Sequence, residues 1–156
     1  RNSRKNQGKM LEFIKALSKL QASETFRSYQ KKNPDSYLTN SLYIDEWQIN
    51  YFSPKTNLIT SFIVDGKIKK QALEAKNQKF PKLNSSKILI DMSSAIEISK
   101  IQSQRGAKIV IIQSEDSIPV WNITIPMPSL KVINVKVSAE TGEVLEKSEK
   151  NIIETR

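Results

Sequence analysis

The stretch "VKVSAETGEVLEKSEK", residues 135–150, decides how this chain folds. Val135 and Val137 alternate with polar neighbours, the period of a strand with one buried face. A turn at Glu140-Thr141-Gly142-Glu143 interrupts the alternation, and Val144 and Leu145 resume it. The chain has only four glycines, so one placed in this turn needs a physical reason. Glycine reaches positive φ without steric cost, which suits a tight reversal or a bulge between strands.

The same device occurs earlier. "VDGKI" at 64–68 parallels "ETGEV" at 140–144, an offset of 76 residues. A second anchor stands nearby: "WQINYFSP" at 47–54 and "WNITIPMP" at 121–128 share W-x-I-x-x-x-x-P at an offset of 74. Two independent anchors at nearly one offset argue for a repeated supersecondary unit.

The elements around the anchors run in the same order. Met10, Phe13, Ile14, Leu17 and Leu20 recur at helical spacing, and Ser23-Glu24-Thr25 supplies a second helix start or a kink. Phe26 and Tyr29 extend that apolar face, and Asn33-Pro34-Asp35 ends it. Strand compositions follow at 37–44, 47–52 and 58–64, with Ser53-Pro54-Lys55-Thr56-Asn57 and Asp65-Gly66 as turns. Residues 71–86 are polar and weakly periodic and read as linker, with a helical turn at 72–76 and a short extended piece at 87–90. Asp91 caps a second helix whose buried face uses Ala95, Ile96, Ile98, Ser99 and Ile101, with Gly106 as its stop. Strand compositions return at 108–113, 120–125 and 130–137, separated by Glu115-Asp116-Ser117 and Pro126-Met127-Pro128. The predicted fold is α+β: two repeated units, each a helix packed on a three-stranded antiparallel meander. The predicted divisions are 1–70, a lysine-rich linker 71–90, and 91–156.

Residues 91–147 resemble the PepSY domain. The helix opening "DMSSAIEISK", then "VWNITI", then "INVKVSAETGEVLE" carry the likeness, through Val135, Val137, Ala139, Thr141, Gly142, Glu143, Val144 and Leu145. Ser138 departs from the pattern, where an Asp is common. The N-terminal unit matches only at Trp47, Ile49, Asp65 and Gly66. The resemblance implies a PepSY- or cystatin-like layout and a non-enzymatic role. The partners it implies are proteins: a peptidase to be regulated, or another subunit of the cell envelope.

Composition narrows the chemistry. The chain lacks histidine and cysteine, which excludes the common general base, disulfides, thiol nucleophiles and the usual zinc ligand sets. Four glycines cannot furnish a phosphate-cradling loop. The acid pairs Asp45-Glu46 and Glu115-Asp116 are adjacent on extended chain and point to opposite faces, poor geometry for joint acid–base work. Ser85 to Lys87 offers a Ser-Lys neighbourhood within polar linker. Asp35, Asp45 and Asp65 do not make a calcium loop. The sequons at Asn84 and Asn122 are coincidental, the second lying inside a predicted strand. No catalytic, metal-binding or cofactor-binding residue is assigned, and no cofactor is expected.

The net charge of +9 is uneven: residues 1–90 carry a net of +10 and residues 91–156 a net of −1. Seven lysines against Glu74 lie between Lys67 and Lys87. Such a run suits nucleic acid or a solvated linker. The run lacks interleaved aromatics, whereas Tyr29, Tyr37, Tyr43, Tyr51 and Phe52 fall where a core needs them, so nucleic acid is not the expected partner. Trp47 and Trp121, at equivalent positions, read as shared packing residues rather than surface anchors.

The longest apolar run, Ile109-Val110-Ile111-Ile112, is far short of the roughly 20 residues of a spanning helix. The chain starts at Arg1 rather than Met, which fits a trimmed chain, and the sequence leaves open whether a signal peptide or anchor preceded it. Arg1, Arg4 and Lys5 directly after a membrane helix would favour the cytoplasmic side, so a cleaved signal or a longer spacer fits better. The function expected from these features is a non-catalytic, extracytoplasmic protein-interaction or accessory domain, with peptidase regulation as one form. The alternative is a structural or assembly component of the envelope that uses sheet edges or the lysine run. Nucleic-acid binding and enzymatic activity rank below both.

Overall fold

A computed structural model of the protein describes residues 11–75, 78–100, 108–127 and 130–151. Met10, Ile101, Gly106, Pro128 and the basic Arg1, Arg4 and Lys5 lie outside the described residues. In chain order come α1 (Phe13–Gln21), α2 (Glu24–Lys32), β1 (Tyr37–Ile44), β2 (Glu46–Ser53), β3 (Leu58–Asp65) and β4 (Lys67–Glu74). A short 3₁₀ turn (Ser85–Lys87) leads to α3 (Met92–Ser99), then β5 (Ile109–Glu115), β6 (Ile118–Met127), β7 (Lys131–Ser138) and β8 (Val144–Asn151).

The two-sheet expectation is overturned. The eight described strands form one antiparallel sheet in the order β4-β3-β2-β1-β5-β6-β7-β8. Its centre is a seam between β1 and β5, which pairs Asn40 with Gln113, Ser41 with Ile112, Leu42 with Ile111 and Tyr43 with Val110. Two separate meanders would each leave their first strand as an open row of backbone donors and acceptors, and pairing those strands removes both edges. Each half also has a fourth strand where three were expected. Residues 67–74 (KIKKQALE) are poor strand formers, yet the reversal at Gly66 holds them in register with β3 from Leu58↔Glu74 to Asp65↔Lys67. At the sheet margin their side chains need no burial, which tolerates such a composition. β8 pairs with β7 in the same way.

The expected linker shrinks accordingly. Gln71 to Glu74 belong to β4, and the residues beyond are stitched to both halves. Tyr37 and Thr39 hydroxyls donate to the carbonyls of Phe80 (2.6 Å) and Pro81 (2.8 Å), and the Leu83 amide donates to the Leu38 carbonyl (2.9 Å). Residues 85–87 form the 3₁₀ turn instead of an extended piece, capped by Asn84. The amides of Leu89 and Ile90 then share the Ala139 carbonyl (2.9 and 2.8 Å). Pro126 and Met127, read as a separator, are the end of β6, paired with Val132 and Lys131.

The three α-helices among the described residues cover one face of the sheet. α1 buries Phe13, Ala16, Leu17 and Leu20, a helical stripe. Ser23 caps α2 by accepting the Phe26 amide, so the helix breaks in two there. Strand alternation sends Trp47, Ile49 and Tyr51 of β2 to this face, with Phe62 and Val64 of β3 beside them. In the other half Trp121, Ile123 and Ile125 of β6 and Val135 and Val137 of β7 do the same. Trp47 and Trp121 occupy the second strand of their respective halves, are 1% and 0% exposed, and lie 6.4 Å apart between ring centroids. Each indole N–H donates to a backbone carbonyl ahead of its helix: Trp47 to Leu11 (2.7 Å) and Trp121 to Ile90 (2.8 Å). A polar handle on each ring is thereby satisfied inside the core.

The two turn glycines both have positive φ, +70° at Gly66 and +85° at Gly142. Gly142 has a second reason: a Cβ there would sit 3.3 Å from Ile98 Cδ1, against α3. The halves are further latched by Glu12, just ahead of α1. Its carboxylate accepts the Met92 amide (2.7 Å), the Ser93 amide (3.2 Å) and the Ser93 hydroxyl. Asp91 caps the same helix through the Ser94 amide (2.8 Å). Two carboxylates meet the positive end of α3, one from each half.

Candidate binding face

The face opposite the helices carries no helix among the described residues, and its side chains are arranged by strand register. One row crosses five neighbouring strands: Gln71 of β4, Ser61 of β3, Asn50 of β2, Asn40 of β1 and Gln113 of β5. At about 4.8 Å between strands the row spans roughly 19 Å. Every member is an uncharged amide or hydroxyl.

Mutual hydrogen bonds hold the central part of the row in place. Asn50 Nδ2 donates to Asn40 Oδ1 (2.6 Å), and the Ser61 hydroxyl donates to Asn50 Oδ1 (2.7 Å). Gln48 Nε2 reaches both Asn50 Oδ1 (3.4 Å) and Ser61 Oγ (3.3 Å). These groups floor a recess of ≈ 320 Å³ whose walls include Ile59, Leu73, Ala75 and Phe80. Phe80 is itself fixed by stacking on Phe52 (5.0 Å), which meets Tyr37 edge-on (5.8 Å).

The other half places a second recess, of ≈ 570 Å³, on the same face between β6, β7 and β8. Its chemistry differs. Asn134 donates to Asn122 and Thr124, but beside them Lys136 lies 3.2 Å from Glu115 and 3.8 Å from Glu146. The open face thus carries an uncharged amide row on one side of the seam and a salt-linked lattice on the other.

Nothing in these groups assembles a reaction centre. Among the described residues there is no group of three acids, histidines or cysteines placed to hold a metal ion. Asp45 and Asp116 sit in hairpin turns at positive φ (67° and 52°), and Glu115 is held by Gln113 Nε2 (2.8 Å) and Lys136. Ser85 to Lys87 form the 3₁₀ turn, with the Ser86 hydroxyl donated to Asn84 (2.6 Å). The Lys55 amide and the Ser53 hydroxyl hold the Asp35 carboxyl below its ordinary range, the work of a turn brace. Burial pushes the Tyr51 and Tyr43 phenols up, Tyr51 under α1 and α2 and Tyr43 beside Trp47.

The lysine run does not converge either. Pairing of Lys67 with Asp65 and of Lys69 with Ile63 places both on the open face, while Lys70, opposite Phe62, lies on the helix side. Lys82 stands over the Tyr37 ring at 5.3 Å. The run is a charged margin that discourages strand addition, not one basic patch. The amide row escaped sequence reasoning because its members are scattered one or two per strand. The readable signal was Gln48 and Asn50 alternating with Trp47, Ile49 and Tyr51, with Ser61 between Ile59 and Ile63, once the register was known.

No family model and no curated protein matches the sequence. Among solved structures, the crystal structure of a candidate lipoprotein from Clostridium difficile 630 is similar, with a TM-score of 0.64 and 11% identity. The match covers 92% of this chain and 97% of that one, so nearly the whole eight-stranded arrangement is shared. At that identity the likeness is one of fold.

Proposed function

We propose that this chain is a non-catalytic protein-interaction or accessory domain of the cell envelope, working outside the cytoplasm. The observation that carries the reading is the sheet face that bears no helix among the described residues, with its fixed amide row and two recesses. A sheet face left open by one layer of helices, and pre-arranged by side-chain bonds, lowers the ordering cost of docking a partner. The fold shared with a candidate lipoprotein supports the envelope location. The PepSY resemblance of residues 91–147 supports a protein partner, with a peptidase or an assembly subunit as the class. Use of the sheet edges, the structural alternative, is less favoured because β4 presents Lys67, Lys69 and Lys70 and β8 presents Glu146, Lys147, Glu149 and Lys150.

The test is capture of a partner from envelope extract by the immobilised domain and its variants, each shown by circular dichroism to be folded. Asn50→Arg and Gln71→Arg on the open face should abolish capture, while Lys15→Glu on the exposed side of α1 should leave it intact. Capture lost only with the helix-side variant would overturn the reading.

A further inference from the structure

Among the described hydrogen bonds, the recess over the amide row leaves two functional groups without a protein partner. Gln48 Oε1 accepts nothing and Asn40 Nδ2 donates to nothing, although both side chains are tied down through their other atom. An acceptor and a donor therefore face the recess in fixed positions. Around them stand Ile59, Leu73, Ala75 and Phe80, and Leu73 is 54% exposed. A pocket of this size, mostly apolar with a few oriented polar groups, has the usual composition of a ligand site.

We infer that this recess takes one aliphatic side chain of an extended polypeptide, with an adjacent peptide group bonded to Gln48 and Asn40. A peptide group supplies one N–H donor and one C=O acceptor, the complement of the two unused atoms. The floor and amide row of Asn40, Gln48, Asn50, Ser61 and Gln71 are uncharged, so an ionised group entering there would lose hydration with no counter-charge on the floor. Among the described residues the one ionisable group in the lining is Glu74, on the β4 side, which disfavours an acidic group further. A sugar would need a free aromatic plane for its apolar face, but one face of Phe80 is spent on Phe52, and the other apolar walls, Ile59, Leu73 and Ala75, are aliphatic. The inference rests on the protein-interaction reading and specifies what part of a partner the open face grips.

The experiment is a titration of the full ¹⁵N-labelled chain with N-acetyl-leucine methylamide, following the side-chain NH₂ signals of Asn40, Gln48 and Asn50. A blocked amino acid of this size binds with a Kd on the order of 1 mM at best. The expected result is saturable movement of those signals, with Leu73→Ser, a half-exposed position, weakening binding about tenfold. The glutamate analogue should bind more weakly than the leucine one, because Glu74 lines the recess. Movement with N-acetylglucosamine but not with the peptide mimic would overturn the inference, as would shifts spread over unrelated surfaces. The two proposals fail separately. If the mimic moves nothing while Asn50→Arg still abolishes partner capture, the interaction reading stands and this inference falls. If the mimic binds but capture ignores the open face, the interaction reading falls instead.

Discussion

Trp121→Ala is the sharpest probe of how the two halves share one core. The indole is fully buried, packs 6.4 Å from Trp47 across the seam, and donates its N–H to the Ile90 carbonyl at 2.8 Å. Truncating a buried Trp removes transfer energy and leaves a cavity, together about 3–5 kcal/mol. The Ile90 carbonyl loses its indole partner, which adds about 1 kcal/mol if water reaches it and up to about 3 if not. The expected loss is therefore about 4–8 kcal/mol, comparable with the whole stability of a domain, about 5–15 kcal/mol. Urea unfolding followed by far-ultraviolet circular dichroism measures it, with Trp47 as a fluorescence reporter. Trp121→Phe keeps a ring and loses the N–H bond, so it should cost only about 1–3 kcal/mol. If Trp121→Ala costs less than about 1 kcal/mol, the ring is not between helices and sheet, and the packing account is wrong.

Three further outcomes follow from the same structure. Glu12→Ala should lower stability by about 1–2 kcal/mol in the same urea assay, because it uncaps α3 across the two halves; an unchanged midpoint would show that the latch is idle. Tyr29 has a buried hydroxyl without a partner among the described residues, so Tyr29→Phe should be neutral or raise the thermal midpoint, and a clear drop would contradict the unpaired assignment. The pH profile should bend at both ends. Asp35 titrates below its ordinary 3.8 when folded, so its contribution is present above that value and fades as pH falls below it. Tyr51 titrates above its ordinary 10.0 when folded, so stability should fall as pH rises past 10.0, and Tyr51→Phe should remove part of that fall.

Much of the local structure was legible because it depends on neighbours in sequence. Ser23 and Asp91 are read as helix starts and do accept the amides of Phe26 and Ser94. Gly66 and Gly142 are read as turn residues and do hold positive φ. What failed were features set by long-range pairing. The β-forming composition of residues 37–44 and 108–113 marks strands but does not say that β1 and β5 pair with each other, and so two sheets were expected in place of one. The lysines and glutamine of β4 carry little strand propensity, and only the hairpin through Gly66 makes them a strand. The amide row was hidden for a related reason. Asn40, Asn50 and Ser61 become neighbours only through the registers of β1–β2 and β2–β3. Alternation separates two faces of a strand without saying which one the helices cover.

The most direct test of the open face as the binding surface is a photo-cross-linking scan in cells producing the full-length protein. Benzoylphenylalanine placed at Leu42, Ile63 or Gln71 on the open face should yield one specific adduct of constant size. The same group at Ile14 or Lys15 on α1, or at Lys31 on α2, should yield none. Adducts from the helix side with none from the open face would contradict the account.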